Sequence, residues 1–260
     1  MFPETIELYA RQRNLSPQDA AQTFMQIVVL RHLSVPGVRL IGGTALVLGH
    51  NNPRFSEDVD LTQVAHPDLL RPGLAKAATE LKNWFGSSVM LLPPKGNGRT
   101  WRMTCLLGRA SAVRLNVDCQ EYPAYTVHPI VLQFPSLSPF SFDAIELDEI
   151  MADKVIALAY RRYLGGRDLF DLWFHWLRLD DWSLRLPMIR QFIDRKLKDR
   201  SFSTAELHRL LQNRLSPKVA MERARTEWQR YLPADFQKKG IQEEMLKACG
   251  KLPEFFHDAN

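Results

Sequence analysis

Two aspartates separated by one residue, Asp58 and Asp60, are the pair in this chain best suited to metal chemistry. Residues 57–64 alternate polar and apolar side chains and predict a β-strand, on which residues two apart share a face. The two carboxylates would then lie roughly 6–7 Å apart, and their repulsion favours a divalent cation. Ligands that are all oxygen favour Mg²⁺ or Mn²⁺. The pair alone is weak evidence, because exposed strand edges and turns also carry it.

A pair of glycines, Gly42 and Gly43, follows an apolar run that predicts a buried strand at residues 38–41. Glycine lets the backbone approach an anion closely, and the first N–H groups of a helix bind phosphate oxygens. A short helix is predicted from Thr44 onwards. The phosphate-binding turn and the paired carboxylates therefore fall within one strand–turn–helix–strand unit.

A third carboxylate for this site is predicted at Asp118, in the segment VRLNVDCQ. Residues 113–118 alternate apolar and polar side chains, so Asp118 shares a strand face with Arg114 and Asn116. A strand acid that simply faces solvent would produce the same pattern.

The elements around these residues predict an α+β fold in two halves. Residues 1–142 form a half with a mixed β-sheet and flanking helices, and residues 143–260 form an all-helical half. The segment 122–142 is rich in Pro and Ser and is predicted to be an irregular crossing between them. The helical half is expected to complete the active-site cleft. Strands are predicted at residues 38–41, 57–64, 89–92, 101–106 and 113–119, and helices at 17–33, 44–48, 67–85, 147–163, 167–177, 186–199, 204–214, 217–231 and 242–249, with Pro187 and Pro217 as helix boundaries.

The composition is that of a globular protein, with 260 residues, 45% hydrophobic and 24% charged. Its apolar runs are shorter than the roughly 20 residues that cross a bilayer, and the N-terminus lacks the apolar stretch of a secretory signal. We therefore expect a cytoplasmic protein without a membrane segment. Three cysteines without CxxC spacing predict reduced thiols rather than disulfides or a zinc site.

The formal net charge is +5, and Arg and Lys are concentrated in residues 178–230. A basic half beside an acidic site fits a polyanion held near metal ions. Solvated cations on exposed helix faces explain the same pattern equally well.

The segment GGTALVLGHNNPRFSEDVDL resembles the nucleotidyltransferase core of the polymerase-beta-like superfamily, in which a glycine pair precedes Asp-x-Asp. Its Arg-x-Ser-x-Asp-x-Asp form is similar to the AbiEii/AbiGii toxin family, which includes the MenT toxins of type IV toxin–antitoxin systems. The segment DKVIALAYRRYLGGRDLFDL, residues 153–172, is similar to that family's lysine helix followed by Arg-Asp-x-x-Asp. The resemblance spans residues 38–177. The 14 residues between Gly43 and Asp58 are at or just beyond the family's usual upper spacing, which predicts an extended loop.

The resemblance implies a metal-dependent nucleotidyltransferase and a role for each matching residue. In that assignment Gly42, Gly43 and Thr44 bind the β and γ phosphates of a nucleoside triphosphate, and Lys154 contacts the same triphosphate. Asp58 and Asp60 bind Mg²⁺ (or Mn²⁺), while Asp118 holds a second metal ion and acts as or positions the general base. The rest of the nucleotide-binding set is Arg54, Ser56, Arg167, Asp168 and Asp171. Asp168 is the acid expected to orient Lys154 or touch the nucleotide. Arg167 and Asp171 are four residues apart on a predicted helix and could instead simply pair with each other.

The reaction implied by the resemblance moves a nucleoside monophosphate from a nucleoside triphosphate to an acceptor hydroxyl and releases pyrophosphate. The expected acceptor is the 3′ end of tRNA, in a toxin–antitoxin or phage-defence system with an AbiEi-type antitoxin encoded nearby. One alternative keeps the chemistry but uses a protein or a small molecule such as an antibiotic as acceptor. Another is a non-catalytic nucleotide- or nucleic-acid-binding module, although inert relatives usually lose an acid of the Asp-x-Asp pair and both are present here.

Overall fold

The structure is a computed structural model that describes residues 3–33, 35–86, 88–107 and 111–256. The chain divides into two compact units. The first comprises Met1–Asn51 and Phe55–Ile145, and the second comprises Asn52–Arg54 and Glu146–Asn260. The three residues 52–54 thus belong to the second unit although the first flanks them in sequence. The division into domains at residues 142 and 143 stays a prediction.

The first unit is built on a seven-stranded mixed sheet with the strand order β3-β4-β5-β2-β1-β7-β6. Its strands are β1 (Arg39–Ile41), β2 (Val59–Thr62), β3 (Val89–Leu92), β4 (Thr100–Leu107), β5 (Ser111–Cys119), β6 (His128–Phe134) and β7 (Leu137–Ala144). Its helices are α1 (Glu4–Arg13), α2 (Pro17–His32), α3 (Gly42–Gly49) and α4 (Arg71–Phe85), with a 3₁₀ turn at Pro67–Leu70 before α4.

Local signals set the ends of the longer helices. The Ser16 hydroxyl accepts a hydrogen bond from the Asp19 backbone N–H, and Pro17 occupies the first turn. Helix α2 therefore begins at Pro17, the predicted first residue. Helix α4 ends at Gly86, which has a positive φ of 57° that glycine adopts without strain. Helix α2 is almost wholly buried along its last three turns and packs against the sheet and α4. The main core of this unit lies between these helices and one sheet face.

The three central strands have the register that matters most for the predicted site. Strand β2 runs antiparallel to β1, with Asp60 opposite Ile41, and parallel to β5, with Asp60 opposite Asp118. Strand β4 runs antiparallel to β5, with Thr100 opposite Asp118. The carboxylates therefore lie in the middle of the sheet, at the end of β1 where Gly42 begins α3.

The predicted irregular segment at residues 122–142 is wrong over most of its length, because β6 and β7 form a hairpin there. In β6 the side chains of Ile130, Leu132 and Phe134 are buried and alternate with exposed ones, which is the period of a half-buried strand. Pro129 is tolerated because β6 is an edge strand of the sheet.

The second unit is helical in the residues described. Its helices are α5 (Leu147–Tyr160), α6 (Gly166–Leu172), α7 (Trp182–Asp199), α8 (Thr204–Arg214), α9 (Pro217–Tyr231), α10 (Lys239–Cys249) and α11 (Leu252–Phe255), with a π-helical turn at Trp173–Leu177 and a 3₁₀ turn at Ala234–Gln237. The predicted helix boundary at Pro187 is wrong, because Pro187 lies inside α7, which begins at Trp182. The predicted α+β class is confirmed. No helix in the described ranges is long and apolar enough to cross a membrane.

Candidate active site

The turn between β1 and α3 brings the backbone against a carboxylate. Gly42 has φ +70°, and a Cβ atom at this position would lie 2.8 Å from Asp60 Oδ2. The positive φ would strain the backbone of any other residue, and a Cβ atom would in addition force Asp60 to move. Gly42 is also the first residue of α3, so the helix N-terminus with its backbone N–H groups begins beside the Asp60 side chain.

Three carboxylates share one face at the centre of the sheet. Asp60 and Asp118 are direct partners on the parallel strands β2 and β5, and both are partly exposed between buried neighbours. Asn116, two residues before Asp118, donates from Nδ2 to Asp58 Oδ1 at 3.0 Å, which places Asp58 on the same face. The Thr100 hydroxyl on β4 donates to Asp118 Oδ1. The structure thus places the three predicted acids on one face, with Asp60 and Asp118 on facing strand positions and Asp58 in the loop just before β2.

The loop that leads into β2 is held by hydrogen bonds from polar side chains of α2 and α3. Thr44 Oγ1 on α3 bonds to the Ser56 hydroxyl at 2.9 Å and donates to the backbone oxygen of Asp58. Gln26 on α2 donates to the backbone oxygens of Ser56 and Asp58 at 2.8 and 3.3 Å. The hydroxyls of Thr44 and Ser56 therefore hold in place the loop that positions Asp58. A direct contact of either hydroxyl with a nucleotide stays a prediction.

The donor chemistry of this face fits a divalent cation. Among the described residues, no group of three or more Asp, Glu, His or Cys side chains is placed to hold a metal ion. Mg²⁺ seldom requires such a group, because it is usually bound by one or two carboxylates and completes its shell with water and substrate phosphates. The paired carboxylates of Asp60 and Asp118, on facing positions of two strands, supply that kind of partial set.

The second unit holds a different cluster of predicted residues. Lys154 Nζ on α5 lies 2.6 Å from Asp168 Oδ1 and 2.8 Å from Asp171 Oδ2. Arg54 donates two hydrogen bonds to the Asp171 carboxylate, from Nε to Oδ1 at 2.6 Å and from Nη2 to Oδ2 at 2.8 Å. The side chains of Arg54 and Asp171 are 2% and 0% exposed. This buried network links residues 52–54 to α5 and α6.

Two further residues complete that network. Asn52 donates from Nδ2 to Asp171 Oδ1 at 2.8 Å, and its own Oδ1 accepts from the Arg54 backbone N–H at 3.1 Å. Arg161, at the end of α5, donates to Asp168 Oδ2 at 2.9 Å while most of its side chain stays exposed. Each acid is therefore bound by two cationic side chains.

The charges of this network set the protonation of its acids. Burial alone would raise the pKa of Asp171, but the charges of Arg54 and Lys154 and their hydrogen bonds hold that pKa well below its usual value. Burial likewise opposes ionisation of Asp168, and Lys154 with Arg161 outweighs it, so the pKa of Asp168 is also lowered. Both acids are ionised at neutral pH.

Arg167 contacts two residues of α9. Its backbone N–H donates to Glu227 Oε2 at 3.0 Å, and its guanidinium lies over the Tyr231 ring at 4.4 Å. The alternative of a simple Arg167–Asp171 pair does not account for Asp171, which is buried and bound to Arg54 and Lys154. Contacts of Arg54, Lys154, Arg167, Asp168 and Asp171 with a nucleotide stay predictions.

Several residues of these clusters were not predicted from the sequence. Asn116 was recognisable, because it shares the strand face of Asp118. Thr100 was not, since its position opposite Asp118 depends on the register of β4 against β5. Asn52 carried no signal, because its partner Asp171 is 119 residues away in sequence.

The sequence matches the model of one protein family, the nucleotidyl transferase AbiEii toxin of type IV toxin–antitoxin systems, over residues 30–244. That match includes both clusters described above. Among curated protein sequences, none is similar enough to count as a match.

Two solved structures illustrate the fold that this chain shares. The nucleotidyltransferase toxin MenT4 of Mycobacterium tuberculosis H37Rv is 15% identical, and the alignment covers 99% of this chain and 91% of that one with a TM-score of 0.56. JHP933 of Helicobacter pylori is 17% identical over 94% of this chain and 93% of that one, with a TM-score of 0.55. At these identities the likeness is one of fold, and it extends over nearly the whole chain.

Proposed function

Because this chain belongs to the AbiEii family of nucleotidyltransferase toxins of type IV toxin–antitoxin systems, we propose that it transfers a nucleoside monophosphate from a nucleoside triphosphate to an acceptor hydroxyl, with the 3′ end of tRNA as acceptor. Pyrophosphate is the leaving group. The reaction takes place in the cytoplasm, where nucleoside triphosphates and tRNA are available, and an AbiEi-type antitoxin is the proposed partner in the cell.

The observation that carries the proposal is the pairing of β2 with β5, which sets Asp60 beside Asp118, with Gly42 against the Asp60 carboxylate. Nucleotidyl transfer needs alignment of the reacting groups and neutralisation of phosphate charge more than covalent help from the protein. Bound Mg²⁺ or Mn²⁺ would supply that neutralisation. Two carboxylates next to a helix N-terminus are suited to hold the cations and the phosphates side by side.

The chain's own side chains divide the remaining work. Asp60 and Asp118 hold the cations, and Asp58 joins them from a position fixed by Asn116. Asp118 also orients the acceptor hydroxyl and is the nearest base for its proton, since it lies on the side of Asp60 away from the glycine turn. Gly42 and the backbone N–H groups after it bind the β and γ phosphates. In this proposal Lys154 adds positive charge toward the triphosphate.

A labelling experiment tests the reaction and the acceptor together. Purified protein is incubated with each radiolabelled nucleoside triphosphate, Mg²⁺ or Mn²⁺, and total RNA, and the products are separated on a denaturing gel. We expect a labelled band at the size of tRNA that is lost in Asp60→Asn and kept in Asp143→Asn, an exposed strand aspartate of β7. Label on protein or on a small molecule would move the acceptor to that class, and label on none of them would overturn the proposal.

A further inference from the structure

One face of the sheet beyond the carboxylates is uncovered and partly apolar. Along β3 and β4 the side chains of Met90, Leu92 and Leu106 are 46%, 46% and 38% exposed. Arg102 and Arg114 project from the same face, because Trp101, Met103 and Cys105 are buried on the other. We call the surface formed by Met90, Leu92, Arg102, Leu106 and Arg114 the open β3–β5 face. It contains a depression of about 510 Å³.

The two arginines of this face form a pair of neighbouring cations. Arg102 on β4 is opposite Asn116 on β5, so Arg114 is the diagonal neighbour of Arg102 on the same face. In such diagonal pairs the two residues are about 7–8 Å apart. Within the part of the chain that the structure describes, neither guanidinium has a hydrogen-bond or ion-pair partner. Like charges at this spacing repel each other, and an anion that bridges them removes the repulsion. Phosphate is one of the anions whose geometry a guanidinium group matches.

The open β3–β5 face runs directly into the carboxylates. Asn116 lines the depression and also donates to Asp58. Arg114 is four residues before Asp118 on β5, about 13 Å along the strand. A chain of a few nucleotides lying over the depression would therefore bring its end to Asp118.

The strand order separates this face from the glycine turn. In the sheet, β5 and β4 lie on one side of β2, and β1 with Gly42 lies on the other. Phosphoryl-group transfer places the attacking and leaving oxygens roughly in line on opposite sides of the reacting phosphorus. If the triphosphate tail lies at Gly42, the attacking hydroxyl has to arrive from the β5 side, which is the side of Arg102 and Arg114.

We propose that the open β3–β5 face binds the acceptor as single-stranded RNA, with Arg102 and Arg114 on its phosphates and Met90 and Leu92 against its bases. The proposal rests on the nucleotidyl transfer proposed above and adds the path of the acceptor. Exposed apolar side chains beside unpaired cations suit a single strand, whose bases and phosphates are both accessible.

Binding of RNA, measured apart from turnover, tests this surface. A fluorescent single-stranded RNA oligonucleotide with a free 3′ hydroxyl is titrated with full-length protein at several salt concentrations. We expect the Arg102→Gln/Arg114→Gln variant to bind about tenfold more weakly, and the slope of log K against log salt to fall by about 1.4 for two lost phosphate contacts. The matched control is Lys76→Gln/Lys82→Gln, which removes the same charge from exposed positions on α4, behind the other sheet face. That control should bind within about twofold of wild type.

The kinetics supply a second measurement. In the transfer assay the arginine variant should raise KM for RNA while KM for the nucleoside triphosphate stays unchanged, since the triphosphate lies across β2. Equal RNA binding by the arginine variant and the lysine control, or a raised KM for the triphosphate instead, would overturn the acceptor path even if wild type transfers nucleotides to RNA. Lack of transfer by wild-type protein would instead overturn the proposed function, whatever the oligonucleotide titration gives.

Discussion

The two charged clusters use aspartates for opposite purposes. On the first unit's sheet, Asp58 and Asp118 accept hydrogen bonds from an amide and a hydroxyl and remain partly exposed. In the second unit, Asp168 and Asp171 are buried, and Lys and Arg side chains bind both of them. A neutral donor fixes a carboxylate without cancelling its charge, so the carboxylate can still attract a cation. A cationic donor neutralises the charge of the carboxylate, and the resulting ion pair then acts as a structural contact.

This difference divides the motif residues of the sequence into two groups. Asp58 accepts a hydrogen bond from a neutral amide, and Asp60 lies beside the N-terminus of α3. Arg54, only four residues before Asp58, is committed to Asp171 and lies in the second unit. The Arg-x-Ser-x-Asp-x-Asp motif therefore combines a residue of the buried ion-pair network with acids of the proposed metal site, and we expect the two to respond differently to mutation.

The largest expected effect is on catalysis and comes from the sheet acids. Asp60→Asn keeps the shape but removes the charge, so we expect kcat to fall roughly a thousandfold, or about 4 kcal/mol of transition-state stabilisation. The melting temperature of this variant should stay close to that of wild type, because Asp60 is partly exposed and asparagine has nearly the same shape. Steady-state kinetics and a thermal melt measure the two. An Asp60→Asn protein with full activity would remove the assignment of this face as the site.

The next effect is on stability and comes from the buried ion-pair network. Asp171→Ala leaves Arg54 and Lys154 buried without their shared acid, and we expect the free energy of unfolding to fall by about 3–5 kcal/mol. The matched control is Glu243→Ala, which breaks an exposed Lys239–Glu243 pair and should cost less than about 0.5 kcal/mol. Urea unfolding of both variants gives the comparison. Equal, small losses would show that the network does not act as a structural contact.

The pH dependence of stability sharpens the same point. The pKa of Asp171 is lowered in the folded state, so its contribution is fully present above the unfolded pKa of about 3.9 and is lost as the pH falls below that value. Wild-type protein should therefore lose stability below about pH 4, and Asp171→Asn should lose less over the same range. The measurement is the free energy of unfolding of both proteins from neutral pH to below about pH 4. If it falls equally steeply with pH in wild type and in Asp171→Asn, the result would argue against the ion pairs.

The neutral donors give a smaller effect than the acids that they hold. Asn116→Ala removes the hydrogen bond to Asp58, and we expect activity and Mn²⁺ affinity to fall about 10–100-fold with little change in stability. Thr104→Ala, on the same face of β4, is the control and should change neither. Mn²⁺ binding followed by electron paramagnetic resonance separates positioning of the carboxylate from damage to the fold.

What the sequence allowed us to predict depended on how local each signal is. Helices α8 and α9 have the predicted bounds, Thr204–Arg214 and Pro217–Tyr231, because Ser203 caps the first and Pro217 opens the second. The β6–β7 hairpin was missed, since Pro and Ser in residues 122–142 outweighed an alternation of apolar residues that was present in the sequence.

The site shows the same division. The shared face of Asp58, Asp60 and Asp118 follows from the period of strands and was predicted. The role of Arg54 as a buried partner of Asp171 was not, because the two are 117 residues apart and only the tertiary fold joins them. Position in a motif indicates that a residue matters, and its burial and partners show in which way.

The smallest expected effect lies where the two kinds of role meet, at Thr44. Thr44→Val keeps the size of the side chain but removes the hydroxyl that bonds to Ser56 and to the backbone oxygen of Asp58. Because these groups are buried, we expect a loss of about 1 kcal/mol in the free energy of unfolding. Thr44→Ser restores the hydroxyl and should recover most of that loss. If Thr44 acts only as a brace, KM for the nucleoside triphosphate stays unchanged in both variants; a raised KM in Thr44→Val alone would instead support the predicted phosphate contact.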